Sequence, residues 1–313
     1  MTGASTAWRF GAALLVGGYA AVTGCASTTP GLDAHSAALA RLVAARAVHA
    51  DIIYLGESHD NPHHHLDQIR VLEVMLADGA RPALAFEMLA QDQQQAVDAA
   101  MLESADRSAL AKRLGWGERG WPDFEMYRPL FDLARRYGLP VIAIDLSQPV
   151  VRRISKEGLA ALPADEQRRL VSRLAPDADR ERGLARDIEA AHCGLLPAAA
   201  VPGMVDAWHA RNVTMARQII MALERAPQVV VIVGRGHQAP GGLADQVGAL
   251  RPGTRQLIVD LVEAGEGKPD HATPDNGIGG GIGGGMGGGI GGRIVWSNPP
   301  VERPDPCAPL RAR

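Results

Sequence analysis

Asp51-Ile-Ile-Tyr-Leu55 and Pro82-Ala-Leu-Ala-Phe86 are two unbroken apolar runs, and between them, from about His63 to Ala77, apolar residues recur at helical spacing. Strand, helix and strand in that order form a βαβ unit, which decides the fold. A strand apolar at every position is covered on both faces, and the right-handed crossover rule makes such strands parallel. Three more runs of this kind follow: Pro140-Val-Ile-Ala-Ile144, Gln228-Val-Val-Val-Ile-Val233 and Arg255-Gln-Leu-Ile-Val-Asp-Leu261. The expectation is an α/β fold, a largely parallel β-sheet flanked by helices, with a smaller inserted helical subdomain.

That domain is expected over 34–265, opening on a helix from about Ala34 to Ala47. Helical insertions fall at about 91–135 and 150–224, and the second is longer than one crossover helix requires. Gly277 to Gly292 is nearly all glycine, with Ile278, Ile282, Met286 and Ile290 at every fourth position. Glycine loses too much backbone freedom for a helix there, so 266–292 is read as a flexible loop. Residues 293–313 are read as a terminal edge strand, Arg293-Ile-Val-Trp296, and a proline-rich tail.

The 313 residues are 46% hydrophobic and 21% charged, a globular balance that excludes disorder as the dominant state. A net charge of -3 provides no basic excess to neutralise phosphates, which argues against nucleic acid as a partner. Three cysteines are too few for a disulfide-built fold. Arg9, the apolar stretch Phe10 to Val22 and the ending Val22-Thr23-Gly24-Cys25 read as a signal peptide over 1–24. The ending resembles a bacterial lipobox. It implies cleavage before Cys25, lipid on its thiol, a tether over 25–33 and an extracytoplasmic protein on a membrane. Ala26, in place of the aspartate that retains such proteins at an inner membrane, points to the outer one.

Chemistry gathers at the carboxyl ends of the strands, where ligands bind in open parallel sheets. The first strand runs into Gly56-Glu57-Ser58-His59-Asp60, the second into Glu87, the third into Asp145 and the fourth into Gly234-Arg235-Gly236-His237. Glu57, His59, Glu87 and His237, with Asp145, are suited to holding a divalent metal or to acid and base work on a substrate. They are equally suited to a buried network that fixes the loops. Arg235 either meets an anionic group or pairs with one of the carboxylates. The GxxH spacing occurs twice, and each glycine is expected to let the backbone turn sharply out of its strand. His63, His64 and His65 are secondary candidates, split between metal capture and ordinary packing. Cys193, beside His192, reads best as a small buried apolar residue, with a disulfide to Cys307 left open. Trp116 and Trp121, in a glycine-rich loop, either line a pocket or cement the insertion to the sheet.

Leu55-Gly-Glu-Ser-His-Asp-Asn-Pro62 with His64, and Phe86-Glu87-Met88 with the glutamines through Gln94, resemble the opening of the ChaN-like domain of the Tiki superfamily. Trp121-Pro-Asp-Phe, Tyr127-Arg-Pro-Leu130, Gly138-Leu-Pro-Val-Ile142, His192-Cys193-Gly194 with Leu196-Pro197, Asn212 with Thr214-Met215-Ala216, and Gly234-Arg-Gly-His237 continue the likeness in order. It covers about Asp51 to Leu261, and Ile294-Val-Trp296 resembles the family's last strand. Trp208-His209 stands where relatives carry Ala-Gln, and Asn212 where an Asp is usual.

The resemblance implies a lipoprotein of bacterial iron acquisition that binds haem, held at a dimer interface. Tyr127, Tyr137, His192 and His209 are the candidate iron ligands. Distant relatives are hydrolases of the erythromycin-esterase and Tiki-protease type. The rival reading is therefore a metal-dependent or acid/base hydrolase with Glu57 as base, His59 and His237 binding metal or moving protons, Glu87 as ligand or second base and Asp145 orienting a partner.

Overall fold

The structure, a computed structural model, describes residues 30–103, 107–265, 290–305 and 307–308. The signal peptide, Cys25, most of the tether and most of the glycine tract lie outside the described residues. Six strands form one sheet in the order β3-β2-β4-β1-β5-β6, with every neighbouring pair parallel. They are β1 (Ile52–Glu57), β2 (Ala83–Ala90), β3 (Val141–Asp145), β4 (Val229–Gly234), β5 (Gln256–Glu263) and β6 (Ile290–Asn298). The first five are buried at every position, as their apolar composition requires.

Alternate residues of these strands feed two different cores. Ile53, Leu55, Leu84, Phe86, Val230 and Ile232 face α1 (Pro30–Ala47), α2 (Pro62–Ala77), α3 (Gln94–Leu102), α4 (Arg107–Arg113) and α5 (Phe124–Tyr137). On this face Phe86 stacks on Phe131 at 4.6 Å. Ile52, Tyr54, Ala85, Val229 and Val231 face α9 (Val201–Ala222) and α10 (Leu243–Leu250). The long segment before β4 holds α6 (Gln148–Glu157), α7 (Ala164–Leu170), α8 (Ala178–Ala191) and the start of α9. Its own small core joins Leu146, Ile154, Leu162, Leu170, Ala207 and Ala210.

β6 is an edge strand, as expected, but it begins at Ile290, so the last three residues of the glycine tract belong to the strand and not to a loop. Pairing with β5 supplies the backbone partners that offset glycine's entropy there. Asn61 caps α2 by accepting from the His63 N–H at 2.9 Å, and Pro62 fills the first helical position. Cys193 is not a free apolar cysteine. It is disulfide-bonded to Cys307 across 114 residues of sequence.

Candidate functional site

β1 and β4 end opposite each other, Glu57 against Gly234, and here the charged groups meet. Glu57 is buried and saturated with donors. Its Oε1 accepts from Tyr127 Oη at 2.5 Å and lies 2.8 Å from His59 Nδ1, and its Oε2 accepts from Gln68 Nε2 at 2.5 Å. The first turn of α2 braces the loop that carries His59. His64 Nδ1 accepts the Ser58 N–H at 2.9 Å, and His65 Nε2 donates to the His59 carbonyl at 2.9 Å. The histidine run thus packs and props, with His64 and His65 both buried.

Glu87 enters from β2, where the register with β3 shifts between Phe86 and Ala90. Bulges of this kind re-aim side chains beside functional sites. Glu87 Oε2 accepts the Gly234 N–H at 2.7 Å, and its Oε1 takes Arg211 Nη2 at 2.7 Å and faces His237 Nε2 at 3.2 Å. Arg211, on α9, also forks onto Asp145 through Nε at 2.9 Å and Nη2 at 2.8 Å. Asn212 Oδ1 meets His237 Nδ1 at 3.1 Å. His59 closes the chain, its Nε2 3.8 Å from Glu87 Oε2.

Glu57, His59, Glu87, His237 and Asp145 are therefore joined in one cluster at a single rim of the sheet. The glycines of the two GxxH segments serve a different purpose from the expected turn. Gly234 has φ of -64°, open to any residue, yet a Cβ on it would sit 2.7 Å from His59 Nε2. A Cβ on Gly56 would lie 2.0 Å from Gln238 Oε1. Each glycine makes room for a side chain from another element.

Burial opposes charge on His59, but the hydrogen bond to Glu57 and the charges of Glu87 and Glu57 outweigh it and raise the imidazole to about 9. Burial likewise works against Glu57 and Glu87. His65, His59 and Tyr127 nevertheless hold Glu57 below the usual carboxylate range, and His237, His59 and Arg211 hold Glu87 well below it. His64, desolvated and near Arg235, is pushed down to about 4 and stays neutral. His59 is the most exposed of the cluster's acids and histidines, its side chain 29% exposed with Trp121 edge-on at 5.0 Å. The Trp pair thus splits. Trp121 covers the site, while Trp116 is buried against Phe124, Tyr127 and Phe131.

A divalent metal does not fit this donor set. Among the described residues no three His, Cys, Asp or Glu side chains are disposed to hold an ion, because the carboxylates already face Arg211, the Gly234 N–H, Tyr127 and Gln68. Asp145 is turned onto Arg211 and not onto a reacting group. Arg235 donates to Ser58 Oγ at 3.3 Å. Arg211, Gln68 and the bracing role of His65 escape a reading of strand ends, since all three come from helices. The cluster's three carboxylates could have signalled that a buried cation was still to be found.

The model of the family described as haem-binding uptake, Tiki superfamily, ChaN matches residues 43–247. The chain belongs to this family. A solved structure of cofacial haem binding to ChaN of Campylobacter jejuni is similar in fold, with a TM-score of 0.58 at 19% identity over 71% of this chain and 84% of that one. Two further structures match less well. The type III effector HopBA1 has a TM-score of 0.41 at 15% identity over 83% of this chain and 93% of its own. A mutant erythromycin esterase, EreC, in its open conformation has 0.43 at 9% identity over 71% and 72%. No curated protein matches the chain in sequence.

For this ChaN-family chain the four candidate iron ligands fall in unlike places. Tyr127 is fully buried, its hydroxyl spent on Glu57, and burial with the Glu57 charge pushes the phenol far above its ordinary range. No phenolate is available there. His209 spends Nε2 on Glu181 at 2.8 Å. Tyr137 is exposed beneath the Arg81 guanidinium, 5.2 Å from the ring centre. His192, at the end of α8, directs Nδ1 at the Ile188 carbonyl at 2.7 Å, which leaves Nε2 as its acceptor nitrogen. This pattern, one nitrogen fixed by a carbonyl and the other open, is the one that metal-ligating histidines adopt.

Proposed function

We propose that this chain is a lipid-anchored, extracytoplasmic haem-binding protein that takes part in bacterial iron and haem uptake, placed at the outer membrane through Cys25 and acting as a homodimer. The family match over residues 43–247 carries this reading. The signal-like N-terminus and lipobox-like ending at Cys25 support the anchor, and the Cys193–Cys307 disulfide suits an oxidising compartment. Bound haem supplies iron as cargo. His192 and Tyr137 are the residues of the four whose surroundings fit a ligand to it, and the cluster around Glu87 holds the rim in shape. Haemin titrated into the purified protein should give a saturable, shifted Soret band, and a strictly linear, unshifted increase would overturn the reading.

One observation favours a second reading. A partly exposed imidazole held between two buried carboxylates is a perturbed titratable group of the kind found in acid/base catalysts. In this reading His59, and not the enclosed Glu57, is the group that meets an ester or peptide substrate. Turnover on a panel of such substrates, lost in His59→Gln with folding intact, would establish it.

A further inference from the structure

The C-terminal tail leaves β6 at the same rim as the charged cluster, because β6 runs parallel to β5. It then grips the loop that carries His59. Arg303 donates from Nε and Nη2 to Asp60 at 2.6 and 2.7 Å, and from Nη1 and Nη2 to Glu263, at the end of β5, at 2.9 and 2.6 Å. Asn61 Nδ2 donates to Glu263 at 2.7 Å and to the Pro299 carbonyl at 3.2 Å. The two residues that follow His59 are thus both held by the tail or by its anchor.

Four residues beyond Arg303, Cys307 is bonded to Cys193, just past the end of α8. Four residues of chain reach at most about 14 Å. With the Cys193 Cα 5.7 Å from that of Cys307, the end of α8 is kept within roughly 20 Å of the Arg303 backbone. α8 is tied to α9 through Glu181 and His209, and α9 carries Arg211 and Asn212. One strap therefore joins the two walls of the cluster, the His59 loop and the α8–α9 hairpin. The tip of that hairpin has little apolar packing of its own, with Leu195 51% exposed. The Arg303 pairs are partly open to solvent and so weak singly, and the disulfide adds a second tether, beyond β6, that limits how far the tail can move from them.

We propose that the tail is a strap that holds the loop carrying His59, latched by the Cys193–Cys307 bond, and that reduction of this bond releases the strap and loosens that loop. The reductant is a dithiol of the thioredoxin-like class. One of its thiolates attacks one Sγ, the protein disulfide breaks, and a mixed disulfide forms. Its second thiol then displaces the protein sulfur. The dithiol ends as a disulfide, two electrons poorer, and its two protons rest on Cys193 and Cys307. That the cluster serves a haem-binding protein rests on the function proposed above, but release of the strap does not.

The test compares the oxidised protein, the protein reduced with dithiothreitol, Cys307→Ser and the still-bonded Arg303→Gln, all without haemin. Hydrogen exchange of residues 58–62 and 299–305 is expected to quicken at least tenfold on reduction and in Cys307→Ser, less in Arg303→Gln, with β1 and β4 unchanged. Modification of His59 by diethyl pyrocarbonate is expected to quicken at least fivefold in parallel. Free thiols at Cys193 and Cys307 in non-reducing peptide maps of the untreated protein, or equal rates in all four samples, would overturn the proposal. A parallel haemin titration separates the two claims. Strap release with no haemin binding in any form would defeat the haem reading and leave the strap standing.

Discussion

His59 Nδ1 lies 2.8 Å from the Glu57 carboxylate and its Nε2 3.8 Å from that of Glu87, so one imidazole faces carboxylates from β1 and β2, which β4 separates in the sheet. Both carboxylates also have other donors, and the first prediction concerns the protonation of the imidazole between them.

His59 is raised from 6.5 to about 9 in the folded protein. The stabilisation from its charge is full below pH 6.5 and is lost as pH rises through 9. Discounted for partial exposure, it amounts to about 2 kcal/mol. The melting temperature should therefore fall between pH 7 and 10 in the native protein and stay nearly level in His59→Gln. An imidazole resonance of His59 titrating near 6.5 would refute the assignment.

Glu57 and Glu87 titrate the other way. Both are held below the ordinary carboxylate range, Glu87 further, so their contribution is present above pH 4.5 and lost as pH falls through their depressed values. Acid unfolding followed by circular dichroism should move to higher pH in Arg211→Gln, which removes a cation from Glu87.

At neutral pH, Arg211→Gln leaves Asp145 and Glu87 short of their shared partner. Breaking one side of such a buried pair costs about 3–5 kcal/mol. Urea denaturation should show this loss, with part of it recovered when Glu87→Gln is added. A change under about 1 kcal/mol would mean that solvent already screens the pair.

Gly234→Ala places a methyl group where His59 Nε2 now lies, 2.7 Å away. The loop must yield, at a cost of about 1–3 kcal/mol. The His59 titration should shift toward its ordinary value while the sheet stays folded. An unchanged midpoint would show that the close approach is not needed.

Tyr127→Phe and His192→Ala should part company in haemin titration. Tyr127→Phe is expected to keep the Soret shift while lowering stability by about 1–3 kcal/mol, as Glu57 loses a donor. His192→Ala is expected to weaken haemin binding at least tenfold with stability unchanged. The reverse pattern would make Tyr127 the ligand after a rearrangement of the rim.

The strands were legible because continuous apolar runs have one stable use in a chain of this length, burial between two layers of helix. Glu57 and Asp145 were legible as neighbours because they end parallel strands, and His237 because it follows one closely; Glu87 proved to lie inside β2, which runs on to Ala90, and still reaches the same rim. Arg211 was not, since it lies mid-helix, 124 residues from Glu87. The role of Gly56 and Gly234 was misjudged because a close approach from a distant side chain leaves no local pattern. Cys193 misled in the same way, its partner lying far along the chain.

By itself the sequence determined the alternation of strand and helix, the parallel sheet and the edge at which the charged groups collect. Local periodicity and the hand of crossovers suffice for that. Tertiary structure alone decided that His59 is shared by two carboxylates, that Arg211 neutralises two acids, that Tyr127 is enclosed, and that a disulfide-held tail grips the site. Those outcomes depend on separations of a few ångströms set by how helices dock on the sheet, and no spacing along the chain encodes them.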